Sequence, residues 1–180
     1  LEVGFPLKEI QKKLIVKKIN INEIEAYIVT HNHNDHSCAA KDLIARNKKV
    51  YGNKYITNDN PVTTLEHNEK RYVAADISVT PFKVEHDAPD TLGYIIQSSL
   101  ETILFVTDCK YFSADLSRIK FDYVLIEANY DGQSIHFAYN EAKNNSDLAN
   151  IKRYERLMNS HMSLKNCIEH LNRLDLSNCK

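Results

Sequence analysis

The sequence predicts a layered α/β fold, and two observations carry that prediction. Apolar runs of strand length alternate with stretches whose apolar residues recur at helical spacing, and the strand-like runs gather in two blocks. The 180 residues, 43% hydrophobic and 26% charged, suit a single soluble domain over 1–180 with a buried core.

From the N-terminus, Leu7, Ile10, Leu14 and Ile15 mark a helix over Phe5 to Val16, with Pro6 near its start. Lys8, Lys12, Lys13, Lys17 and Lys18 lie on its other side or just beyond, as a solvated face or a phosphate-facing patch. Ile24 to Thr30 reads as a buried strand. Ser37 to Lys48 reads as a helix with Ala39, Ala40, Leu43 and Ile44 inward, and Lys49 to Tyr51 as a short strand. Asn58-Asp59-Asn60-Pro61 is a turn, with Pro61 opening a short helix. Strands follow at Ile77 to Val84, Leu92 to Gln97, Ile103 to Val106 and Phe121 to Ala128. Asp131 to Asn159 is polar and partly helical, broken at Asn144-Asn145-Ser146. Ser163 to Leu174 is a last helix with Leu164, Cys167, Ile168 and Leu171 on one face.

The net charge of −1 argues against a broad nucleic-acid face but leaves a local contact open. No run approaches the ~20 apolar residues of a membrane helix, and no secretory signal is visible. Cys38, Cys109, Cys167 and Cys179 form no CxxC pair, so reduced thiols in a cytoplasm are expected. Cys38 is read as a small core residue on the helix that follows the motif below. The opening Leu1-Glu2-Val3-Gly4 reads as a strand end, and the last residues as a loop after a helix. A fragment of a longer protein is therefore expected.

The chemistry concentrates in Thr30-His31-Asn32-His33-Asn34-Asp35-His36, where a buried strand gives way to a helix. Imidazole and carboxylate suit zinc, manganese or iron. Residues two apart in extended chain point the same way, so His31 and His33 can grip one ion. The turn into the helix then aims Asp35 and His36 at a second position. With no cysteine in the cluster, a catalytic site is favoured over a structural one.

Thr-His-x-His-x-Asp-His after a strand resembles the signature of the metallo-β-lactamase superfamily. Later segments match in order. Val84-Glu85-His86-Asp87-Ala88 with Leu92-Gly93-Tyr94 resembles a motif of the ribonuclease-Z-like branch, and Phe105-Val106-Thr107-Asp108 resembles the strand end bearing a bridging aspartate. Leu125-Ile126-Glu127-Ala128-Asn129 and Ser160-His161-Met162-Ser163 look like a subgroup found in bacteria and their phages. The resemblance implies an αββα sandwich, here expected to lack terminal strands at both ends. It implies two divalent metal ions, zinc first and manganese second. His31, His33 and His86 would hold one, Asp35 and His36 the other, and Asp108 would bridge. The family's aspartate before Gly is replaced by Glu2, and the family's last metal-binding histidine has no counterpart before Lys180. His161 resembles a proton donor beside the leaving group in related nucleases; the alternative is that it completes the metal site. His67, His136 and His170 match no motif and are read as surface residues.

The implied activity is a metal-dependent hydrolase acting on ester bonds, a phosphodiesterase or nuclease using a hydroxide activated by two metals. Asp35 would orient that hydroxide and His161 would protonate the leaving oxygen. Glu127, Asn129 and Asp87 are the expected outer supports of the ligand histidines. The implied partner is a phosphodiester substrate, nucleic acid included, and no membrane. Two alternatives stand: hydrolysis of a small thioester, lactone or cyclic phosphodiester, and a non-catalytic metal-binding module.

Overall fold

In the computed structural model, which describes residues 1–57 and 62–180, the chain divides into two compact units. One holds 1–82 and 88–99, the other 83–87 and 100–180.

The first unit is a βαβ arrangement with a strand layer added. Helix α1 runs Leu7–Val16, and a 3₁₀ turn at Ile21–Glu23 leads into β1, Tyr27–Ile28. Short helices α2 (Asn34–Ser37) and α3 (Ala40–Ala45) lead to β2 (Val50–Gly52), and β3 is Thr63–Thr64. These three strands form one parallel sheet, with Tyr27 opposite Val50 and Tyr51 opposite Thr63. Its core gathers Val3, Leu7, Val29, Ala40, Leu43 and Val50. Strands β4 (Arg71–Tyr72), β5 (Ser78–Lys83) and β6 (Leu92–Gln97) stand in that order, β4 antiparallel to β5.

The N-terminal segment fixes the motif helix. Val3 donates its N–H to the His36 carbonyl, and its own carbonyl accepts from Ala39. The Ala39 N–H is thereby drawn off the helical ladder, which is why the helix expected over 37–48 appears as two short pieces. The second ends in a left-handed cap at Asn47, φ 56°, whose N–H and that of Lys48 bond back to Ile44 and Leu43.

The second unit has β7 (Thr102–Val106) and β8 (Tyr123–Ile126) paired in parallel, then α4 (Gly132–Asn144), α5 (Leu148–Ser160) and α6 (Leu164–Leu171). Each helix opens on a capping side chain: Asp131, Asp147 and Ser163 accept from Ser134, Asn150 and Asn166 N–H groups. The polar break after Asn144 falls where it was expected.

Several expectations are corrected. The turn at 58–61 lies outside the described residues, but 63–64 pair as strand β3, so Pro61 is not followed by the expected helix there. Ile15 faces solvent, because α1 turns Leu7 inward. Cys38 is half-buried at the junction of α2 and α3. His170 is 5% exposed and stacks on Phe112, with ring centroids 4.0 Å apart, so it is no surface residue. His67 is half-buried and meets Asp90 at 2.9 Å; His136 is exposed, as expected. All four cysteines are free thiols. Among the described residues, no helix is long and apolar enough to cross a membrane.

Candidate functional site

In the first unit the backbone leaves β1 at Val29 and carries Thr30 and His31 fully buried. Two anchors hold this stretch: the Tyr94 hydroxyl donates to the Val29 carbonyl at 2.7 Å, and the Leu92 N–H donates to the Thr30 carbonyl at 3.1 Å. Buried Asn53 adds a third, donating to the carbonyls of Thr30 and Asp90. His33 stays extended, φ −62° and ψ 144°, at the cap of α2. The rings of His31 and His33 stand edge to face at 4.6 Å, as their spacing predicted. His36, one turn into the motif helix, brings its ring to 4.2 Å from that of His31. Asp35 sits at the rim, its side chain 81% exposed and one carboxylate oxygen 3.8 Å from His36 Nε2.

A relay behind His31 decides which nitrogen it presents. Thr30 Oγ1 donates its one proton to Glu2 Oε1 at 2.7 Å. It must therefore accept from His31 Nδ1, 2.9 Å away. That places the proton on Nδ1 and leaves Nε2 as the lone-pair atom, the form a metal ligand requires. Glu2 also lies 3.5 Å from His36 Nδ1. Glu2 thus backs two of the three histidines from a left-handed backbone, φ 57°. Its partners lie about thirty residues away in the chain, so the resemblance marked Glu2 only as standing in place of the family's aspartate and gave it no partner.

In the second unit, residues 83–87 are tied down by an antiparallel bridge between Glu85 and Tyr111. The His86 side chain is fully buried, and its Nδ1 donates to the Ser160 carbonyl at 2.8 Å. Burial holds its pKa below the ordinary imidazole value, outweighing the neighbouring carboxylates, so the ring is neutral near pH 7. Its Nε2 then carries a lone pair, yet it faces Asp87 Oδ1 at 3.0 Å and Asp108 Oδ2 at 3.7 Å. Three electron-rich atoms gathered this way suit a cation. Asp108 follows β7 in a left-handed conformation, φ 44°, a strained setting that a functional aspartate tolerates.

Beside this group, Asp108, Glu127 and His161 offer donor atoms that all lie within 4.8 Å of one another. The segment after β8 is zipped to the turn between α5 and α6. Asn129 N–H donates to Met162, Leu164 N–H donates to Tyr130, and Tyr130 pairs with Ser163. This places Glu127 Oε2 3.0 Å from His161 Nδ1, while Glu127 Oε1 accepts from the Cys109 N–H. The hydrogen bond to Glu127 raises the pKa of His161 against its burial. Asn129 Nδ2 is 3.4 Å from the same Nδ1, a weaker contact because that nitrogen gives its proton to Glu127. Asp87 is gripped by Arg156, whose Nε lies 2.6 Å away. Arg156 carries no motif of its own, and Ser160, though part of the His161 segment, bonds His86 through its backbone carbonyl, which no residue type marks.

The structure thus gathers His31, His33 and His36 in one unit, with Asp35 at their rim, and His86, Asp108 and His161 in the other. Imidazole nitrogens in ligand tautomers, carboxylates and no thiolate form a donor set that fits zinc or manganese.

An α/β fold with such a donor set defines a metallohydrolase class. The chain belongs to the beta-lactamase superfamily domain family, whose pattern matches residues 8–178. It is similar to the exodeoxyribonuclease YycJ of Bacillus anthracis, 27% identical over 112 residues that take in 53% of this chain and 40% of that one. Its fold matches the metallo-β-lactamase fold protein YhfI from Bacillus subtilis with a TM-score of 0.58 at 16% identity, covering 90% of this chain and 64% of YhfI. It also matches the short form of human tRNase Z with a TM-score of 0.59 at 13% identity, covering 94% and 76%. The chain therefore spans less than half of the curated relative and under two thirds of YhfI.

Proposed function

We propose that this chain is a metal-dependent phosphodiesterase that acts on nucleic acid, in a ribonuclease-Z-like branch of its family. Its ligands are His31, His33 and His86 for one divalent ion and Asp35 and His36 for a second, with Asp108 serving both; zinc is the first choice and manganese the second. When bound, such ions lower the pKa of water and offset charge on phosphoryl oxygens.

The remaining work falls to the chain's own side chains. Asp35, exposed at the rim, orients the attacking water. His161 protonates the departing oxygen through Nε2, because its Nδ1 proton is committed to Glu127. The Glu127–His161 pair is the observation that carries this reading. An alcohol leaves poorly as an alkoxide, and a carboxylate-held imidazole with a raised pKa is the group that relieves this. An exodeoxyribonuclease and a tRNase Z among the similar proteins favour a phosphodiester over a thioester or lactone. The exposed lysines on and just after α1, Lys8, Lys12, Lys13, Lys17 and Lys18, suit an anionic substrate. Residues 1–180 act as one domain, in keeping with the family match over 8–178. Four free thiols suit a reducing cytoplasm.

The test compares leaving groups. The zinc- or manganese-loaded protein is expected to hydrolyse both bis(p-nitrophenyl) phosphate and a labelled single-stranded oligonucleotide, and Asp108→Ala to abolish both. His161→Ala should lose about 10²-fold or more on the oligonucleotide but little on the nitrophenyl ester, whose leaving group needs no proton. Equal losses on the two substrates would remove His161 as the acid. Hydrolysis of neither by the loaded wild type would remove the phosphodiesterase reading.

A further inference from the structure

The second unit carries a cavity of about 210 Å³ that the chemistry above does not use. One wall is the loop Tyr111–Ser117, and the other is the end of α6 and the residues after it, His170, Arg173 and Leu174. It is too small for a drug-sized ligand, since such pockets run from roughly 300 Å³ upward. A single planar ring system is the right scale.

The α6 wall carries His170. This side chain is 5% exposed and packs ring to ring, with Phe112 stacked at 4.0 Å and Tyr111 tilted at 5.1 Å. Among the described residues, neither of its ring nitrogens is an enclosed, unpartnered atom, so its polar edge stays accessible beside the cavity that it lines. Burial, with Arg173 nearby, holds the ring neutral. It therefore offers one donor and one acceptor in one plane.

The remaining wall says what kind of molecule would use that edge. Tyr111 is 39% exposed, and its backbone is held by the Glu85 bridge, with the Glu85 N–H donating to the Tyr111 carbonyl at 2.8 Å. A half-exposed ring on an anchored backbone is a stacking platform. Arg173 is a cation at the rim, while Asp115, bonded to Ser117, is an anion on the same wall. The carboxylate disfavours a bare phosphate and favours a ligand with its own N–H donors.

We infer that this cavity binds a single nucleobase, stacked on Tyr111, with its hydrogen-bonding edge toward His170 and Arg173 at its rim. This site extends the phosphodiesterase reading, on which its role as a subsite for one nucleotide of the substrate rests.

The test is NMR of the purified protein with free adenosine, cytidine, guanosine and uridine, read at the His170 and Tyr111 ring signals, with ribose 5-phosphate and inorganic phosphate as controls. At least one nucleoside should shift the two signals saturably at millimolar concentration or below, while neither control does so. Tyr111→Leu and His170→Phe should each weaken that nucleoside about tenfold or more; the first changes an exposed residue and so leaves the fold in place. No shift with any nucleoside would overturn the inference. So would equal shifts with the phosphate controls, or full affinity in the Tyr111→Leu variant. Because binding is read without catalysis, a protein that binds nucleosides but hydrolyses nothing retains this site and loses only the phosphodiesterase reading.

Discussion

Thr30 has one hydroxyl proton, and Glu2 takes it. From that follows the tautomer of His31, and from the tautomer its fitness as a ligand. Replacing Glu2 with Gln frees the Thr30 proton to turn toward His31. Zinc affinity, measured by chelator competition, is then expected to fall about 10–100-fold; an unchanged affinity would show that the relay does not set the ligand. In the second unit, Glu127 raises the pKa of His161. A raised imidazole stabilises the fold fully below its ordinary value, and that contribution is lost as the pH climbs through the raised one. Glu127→Gln should therefore lower the His161 pKa in an NMR titration and remove this part of the pH dependence. If the titration does not move, Glu127 is not the cause. At this scale the sequence was legible where spacing was local. His31 and His33 share a side because strands alternate, and His36 follows because a helix turns. Arg156 and Asn53 were not legible, and Glu2 was legible only as the replacement of the family's aspartate, since each acts on a residue far along the chain.

Elements read well where one periodicity ruled. Strand β6 spans Leu92–Gln97 as expected, and the break between α4 and α5 lies at the Asn-Asn-Ser run. They read poorly where a distant segment competed for backbone groups. The helix after the motif was split because Val3 captures the Ala39 N–H. In α6, Cys167 and His170 form the buried line, with Leu171 half-buried and Leu164 and Ile168 exposed; the apolar stripe held for part of its face only. The N-terminal segment that splits the motif helix also demands its glycine. A Cβ on Gly4 would lie 1.6 Å from the Asp35 carbonyl oxygen, far inside contact distance. Gly4→Ala must push the segment off α2. We expect a loss of about 1–3 kcal/mol in thermal or denaturant unfolding, with weakened metal binding alongside. Unchanged stability would mean that the segment is not clamped as described.

For the molecule as a whole, membership of the beta-lactamase superfamily domain family was legible because its first motif packs three imidazoles and a carboxylate into six residues. The bounds of its two compact units were not, because 83–87 and 88–99 each group with a distant part of the chain, which no linear pattern records. Each unit carries its own cluster of ligand-type side chains, and the account stands or falls on whether the chain holds metal. The most direct measurement is the metal content per chain, by elemental analysis after loading with zinc or manganese, for the wild type and His161→Ala. The account predicts about two ions per chain in both proteins. A chain that holds none after loading would contradict it, and the loss of one ion in the variant would make His161 a ligand instead of the acid.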